Sequence, residues 1–178
     1  MLEQVENLCN EITSELKDQY PAIRAWTFRW NDRLRTVMGR AGISRAKGNY
    51  IELSSHLVRI NRNTPDFITR IKETILHEWA HALDWEYDGG WGHGATWKKW
   101  MQKLGVPPER CFSSDRWLCA LNKTKYAIRN GRTGNVMFYS NQLSPSLLLD
   151  AMTKNLKQGG EVEDIEIISL KTGDKIGR

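Results

Sequence analysis

Apolar residues return along this chain in a few short registers, and those registers predict its elements. Over residues 2–18, Leu2, Val5, Leu8, Ile12 and Leu16 recur every three or four positions, which places them on one face of a helix that Tyr20-Pro21 stops. Trp26 to Asn31, Arg35 to Gly39 and Asn49 to Leu53 read as short strands, the last alternating less cleanly through Tyr50, Ile51, Glu52 and Leu53 than a half-buried strand should. Phe67, Ile68, Ile71, Ile75, Leu76, Trp79 and Leu83 then form one apolar stripe. They predict a helix over 65–85 with Thr64 as its N-cap, Pro65 at its first position and Asp66 in its first turn.

A shorter helix follows over 95–104, with Trp97, Trp100, Met101 and Leu104 as its apolar face and Gly105 and Pro107 beyond its end. After the loop holding Cys111 and Cys119, a hairpin spans 125–139 around Asn130-Gly131-Arg132-Thr133-Gly134. Ser144 caps a helix that starts at Pro145 and ends at Gly159-Gly160, and Val162, Ile165, Ile167 and Ile168 make a final strand. No internal repeat is present. The fold class is α+β: helices packed on a short β-sheet, followed by a small C-terminal hairpin and helix.

The long helix carries chemistry at its centre. His77-Glu78-Trp79-Ala80-His81 is an HExxH, and two histidines four apart on a helix project from one face, so both imidazoles can bind one Zn²⁺. Glu78 lies about 100° round the helix from His77, where it can address a water without ligating the metal. The reaction class is metal-assisted hydrolysis, most often of a peptide bond. A catalytic zinc takes a third protein ligand and keeps one position open.

Among the four histidines, His93 is favoured as that ligand, because it sits in Gly89-Gly90-Trp91-Gly92-His93-Gly94, where glycines free the backbone to fold back toward the motif. The metzincin spacing is excluded, since its Gly and His positions hold Asp84 and Tyr87 here. Glu86 lies too near the motif, and Glu109 follows the Pro107-Pro108 break. Tyr87, Tyr50 and His56 are candidates for stabilising an oxyanion, although His56 also reads as a structural histidine.

Four ordered blocks carry a family resemblance. The run from Trp30 through Arg33, Arg35, Gly39 and Arg40 to Gly42, then Tyr50 to Leu57, then Leu76 to Ala82, then Gly92-His93-Gly94-Ala95-Thr96-Trp97, resembles the SprT-like metalloprotease domain over residues 1–106. The resemblance implies a small zincin-like fold, one catalytic Zn²⁺ held by His77, His81 and His93, and Glu78 as general base. It also implies a DNA-associated protease, because relatives such as the Spartan proteases degrade proteins crosslinked to DNA.

Many relatives continue into a zinc ribbon built from two Cys-x-x-Cys pairs, which Cys9, Cys111 and Cys119 cannot make. Residues 107–178 are therefore expected to form a separate appendage whose hairpin resembles a ribbon without its metal.

The net charge of +5 hides blocks: −4 over residues 1–21, +7 over 22–62, −4 over 63–93, +7 over 94–132 and −1 over 133–178. Basic residues on alternating strand positions are commonly just a solvated face. If Arg33, Arg35 and Arg40 share a face with Lys98, Lys99, Lys103, Lys125, Arg129 and Arg132, however, they form a cationic rim suited to a phosphate backbone. Trp26, Trp30, Trp91, Trp97, Trp100 and Trp117 lie in or beside the basic blocks and would stack on unpaired bases if exposed, which favours single-stranded DNA. Trp97 and Trp100, at helical spacing, read first as core.

No apolar run approaches the ~20 residues of a membrane span, and the acidic amphipathic N-terminus is unlike a signal peptide, so the expected compartment is the DNA-associated cytoplasm. Two other functions fit the same motif: a DNA-binding module with a structural zinc, and a DNA-independent peptidase for one specific protein.

Overall fold

The structure, a computed structural model, describes residues 1–108, 118 and 124–176 of the 178. Helix α1 (Leu2–Gln19) buries Val5, Ile12 and Leu16 of the expected stripe together with Cys9, whereas Leu2 and Leu8 are only half-buried. Burial first, and the nearby Glu6 charge second, push the Cys9 thiol up to about 12. At that value it stays protonated and unreactive.

Three short strands follow: β1 (Thr27–Trp30), β2 (Gly39–Gly42) and β3 (Tyr50–Leu53), in the order β1-β3-β2, with β1 parallel and β2 antiparallel to the central β3. The expected strand at 35–39 lies further along, at Gly39–Gly42. Its position is set by pairing with β3 from Gly39 opposite Leu53 to Gly42 opposite Tyr50.

The imperfect alternation of β3 has a physical cause. As the central strand it is covered on both faces, and Ile51, Glu52 and Leu53 are all buried. Glu52 stands directly between Arg29 of β1 and Arg40 of β2 in register. Its carboxylate accepts hydrogen bonds from Arg29 Nε (2.9 Å), Asn31 Nδ2 (2.9 Å) and Arg40 Nη2 (2.5 Å). Burial would raise its pKa, but these hydrogen bonds and the Arg40 charge outweigh burial and hold it below the usual range.

Helix α2 (Ser55–Asn61) was not expected from the periodicity, being only 7 residues long. The HExxH helix α3 runs over Phe67–Leu83, starting two residues later than expected. The reason is Asp66, whose φ of 55° is left-handed and cannot continue a helix from Pro65. Buried Ile71, Ile75, Trp79 and Leu83 form the α3 stripe, whereas Ile68 is exposed. A π-type turn (Asp84–Asp88) widens its end until Gly89, at φ 65°, closes it. Helix α4 (Ala95–Lys103) buries Trp97, Trp100 and Met101 as expected.

The chain divides into two compact units: Met1–Ser55 with Ile68–Arg110, and His56–Phe67 with Cys111–Arg178. The sequence division at 106 kept residues 56–67 with the first. Within the second unit, β4 (Tyr126–Asn130) lies between β5 (Val136–Ser140) and β6 (Ile165–Ser169), all antiparallel. Helix α5 (Pro145–Lys157) begins with the expected Ser144 cap, which accepts from the Leu147 amide. Ile128, Met137 and Ala151 form the core there, with Phe138, Leu147, Leu148 and Ile165 against it. The loop holding Cys111 and Cys119 lies outside the described residues, apart from Leu118.

Hydrogen bonds explain why 56–67 joins the second unit. Asn61 at the end of α2 donates to the Leu118 carbonyl (3.0 Å) and accepts from its amide (2.7 Å). Arg129 on β4 donates to Thr64 Oγ1 (2.9 Å) and to the Asn63 carbonyl (2.9 Å), and its Nε donates to Glu166 (3.0 Å). Arg129 is 3% exposed. Truncating it leaves those acceptors without their donor, so Arg129→Ala should lower the unfolding free energy by about 2–4 kcal/mol, read from urea melts.

Candidate metal centre

Helix geometry puts His77 and His81 on one face of α3, and the loop after the π-type turn returns His93 to them. One ring nitrogen from each of His77, His81 and His93 lies within 4.8 Å of the other two. His77 Nε2 and His93 Nε2 approach to 3.1 Å. A tetrahedral ion with bonds of about 2.0–2.1 Å separates its ligand nitrogens by about 3.3 Å, so this pair is already near the spacing a metal requires. The three ring centroids are 4.7–5.1 Å apart.

Electrostatics suit the same role. Burial first, then the His81 and His93 charges, push the His77 pKa down to about 3. Burial and His93 push His81 down to about 4, partly opposed by a hydrogen bond to the Gly92 backbone. Neutral imidazoles with free lone pairs are the ligand form. The donor set fits a borderline divalent cation, with room for one further ligand.

The loop that delivers His93 needs its glycines. Gly92 has φ 107°, which an L side chain rarely adopts. A Cβ on Gly90 would stand 2.5 Å from Asp84 Oδ2.

Glu78 is 6% exposed and sits against the backbone of β2. The Ala41 amide hydrogen-bonds to its carboxylate, and an added Cβ at Gly39 would stand 2.9 Å from both Glu78 Cγ and Oε1. Burial pushes the Glu78 carboxyl up to about 8; the Ala41 hydrogen bond opposes this, the Glu52 charge adds to it and the Arg40 charge subtracts. A carboxyl tuned near neutrality can take and return a proton, and a cation on the histidines would favour its ionised form.

The structure does not bring the expected cationic residues together as one set. In the first unit, Arg33, Arg35, Lys98 and Lys99 are exposed, and Lys103 lies over the rings of Trp100 (4.7 Å) and Tyr20 (5.0 Å). Arg40 is half-exposed but committed to Glu52. Lys125, Arg129 and Arg132 belong to the second unit. Lys125 is exposed, and Arg132 is exposed but paired with Asp164 (2.9 Å). Arg129 corrects the expectation: its buried guanidinium is spent on Glu166, Thr64 and Asn63.

Of the tryptophans, Trp26, Trp97 and Trp100 are core, Trp30 is half-buried and Trp117 lies outside the described residues. Trp91 is 52% exposed, with its ring 5.8 Å from His81. Among the oxyanion candidates, Tyr87 packs on Tyr20 and Trp100, Tyr50 lies beneath the Arg29 guanidinium, and His56 belongs to the second unit.

Gly39, Ala41, Glu52 and Trp97 shape the site, although none of them is assigned a role in it from the sequence. The one available signal was Glu52, an acidic residue in a strongly basic block between two apolar neighbours.

Residues 5–115 match the model of the SprT-like family. A 77-residue stretch is 34% identical to the germ cell nuclear acidic protein of Drosophila melanogaster, covering 42% of this chain and 7% of that protein. The chain thus matches less than a tenth of that relative's length.

The raised Glu78 pKa has a stability consequence. In the metal-free protein the folded carboxyl keeps its proton up to about 8, whereas the unfolded one ionises near 4.3. Folding is therefore penalised progressively as pH rises through that window. Glu78→Gln, neutral at every pH, should melt at a higher temperature than the metal-free parent at pH 8 and at about the same temperature at pH 4, measured by circular dichroism.

Proposed function

The chain belongs to the SprT-like family, and on that footing we propose that it is a zinc-dependent endopeptidase that acts on proteins bound or crosslinked to DNA. One observation carries the reading: three imidazoles converge on the helix that also carries a buried carboxylate, and that carboxylate is not one of the clustered groups. A structural zinc site is closed by four protein ligands, whereas among the described residues three side chains converge here.

His77, His81 and His93 would hold the zinc, which supplies a Lewis acid that polarises the scissile carbonyl and acidifies a water. A Glu78 carboxylate oxygen takes the proton of the attacking water as the new C–O bond forms. It then returns that proton to the amide nitrogen as the C–N bond breaks. The Ala41 amide and the Gly39 backbone fix where that carboxylate stands.

Exposed Arg33, Arg35, Lys98 and Lys99 in the first unit, with Lys125 in the second, support contact with nucleic-acid phosphates. The stretch 73–97 has no lysine or arginine, so any phosphate contacts would come from either side of the motif in sequence.

Zinc-loaded protein, incubated with a DNA-bound protein in the presence and absence of single-stranded DNA, tests the reading. DNA-stimulated cleavage is expected, and Glu78→Gln should keep its zinc while losing cleavage by about 10²-fold or more. Cleavage indifferent to DNA would identify a peptidase for a particular protein. DNA binding without any cleavage would identify a binding module. Gly39→Ala should also retain zinc but lower kcat by about 10- to 100-fold, because the added methyl displaces Glu78 and misplacement by about 1 Å is costly; a kcat equal to that of the parent would remove Gly39 from the site.

A further inference from the structure

We propose that Trp97 is the positioning residue of the metal site, its indole being the surface that holds all three imidazoles convergent. The proposal rests on the reading of His77, His81 and His93 as metal ligands. The Trp97 ring lies 4.5 Å from the His93 ring, 4.8 Å from that of His77 and 5.4 Å from that of His81. Edge contacts at 86° and 65° hold His93 and His77, and a near-parallel stack at 28° holds His81. The ligands come from two stretches of chain, α3 and the glycine-rich loop, and this side chain touches both.

The burial of the indole and the loop that carries His93 bear on this role. Trp97 is 0% exposed, yet among the described residues its indole N–H has no hydrogen-bond partner. A buried donor without a partner is costly, and Trp79 carries the same cost, so it is the contact with all three imidazoles that distinguishes Trp97. What the indole adds is a face broad enough to meet three rings. A bound cation also makes the imidazoles more positive, and the negative π-face of Trp attracts them more strongly. Trp97 therefore favours the metal-loaded state in particular. The loop bearing His93, with glycines at 89, 90, 92 and 94, has backbone entropy to lose, and the indole restricts its third ligand in advance.

The test measures Zn²⁺ affinity of the full chain by competition with a chromophoric chelator, and the visible absorption of the Co²⁺-loaded form. Trp97→Phe and Trp97→Leu are compared with Trp79→Phe, a substitution of another fully buried tryptophan on α3. Removing partners that orient metal ligands weakens metal binding by about 10- to 100-fold, which is expected for Trp97→Leu, with about 3- to 10-fold for Trp97→Phe. The Co²⁺ bands should shift in both. Trp79→Phe should leave affinity and spectrum unchanged, and metal-free Trp97→Phe should melt within about 5 °C of the parent.

A folded Trp97→Phe that binds Zn²⁺ as tightly as the parent, with an unshifted Co²⁺ spectrum, overturns the proposal; so does an equal loss in Trp79→Phe. If Trp97→Leu fails to fold, Trp97→Phe decides. A parent chain that binds neither ion overturns the metal-ligand reading, and the proposal with it.

Discussion

Helix α3 must bury two imidazoles and a carboxylate beside an apolar stripe, and much of the first unit meets the cost of doing so. A buried ionised carboxylate without partners is expensive enough to change its protonation instead. Glu78 does so in part, with its pKa pushed up to about 8, and the Ala41 amide supplies a backbone hydrogen bond. The strand providing that amide is anchored in turn by the Arg40 ion pair to Glu52. One four-residue strand thus serves two carboxylates: Arg40 neutralises Glu52, while Gly39 and Ala41 leave room for Glu78 and a donor to hold it.

The third imidazole reaches the site by a different principle. His77 and His81 are placed by the regular rise of a helix, but His93 depends on how the helix ends. The π-type turn at Asp84–Asp88 and the left-handed Gly89 reverse the chain, and Gly90 can approach the Asp84 carboxylate only because it has no Cβ. Trp97, in the first turn of α4, then meets the histidines from both sides of that reversal. Ordering three rings against one indole would reduce what a bound metal ion must supply.

The second unit is held by a different polar device. Arg129 is buried, and each of its donors meets an acceptor from β6 or from the segment just after α2. That is how a short helix, lying in sequence between strand β3 and the HExxH helix, comes to group with residues beyond 110.

The HExxH helix, most of its apolar stripe, the short helix after it and the return of His93 toward the motif were legible in the chain. Each depends on local covalent geometry: a spacing of four fixes two side chains on one helical face wherever the helix lies, and glycines flanking a histidine announce a sharp return. The start of α3 was misread because Thr64-Pro65 looks like a helix entry, while the left-handed Asp66 depends on the turn into which that segment is drawn. Helix α2 was too short to show a period, and β2 was displaced because strand register is set by its partner rather than by its own residues.

Only tertiary structure decided that Arg129 is interior, that Gly39 and Ala41 cradle the carboxylate, and that Trp97 touches all three histidines. These roles arise between elements distant in sequence, where contact is chosen by packing and by the need to satisfy buried charge. No periodicity within a single element carries that information.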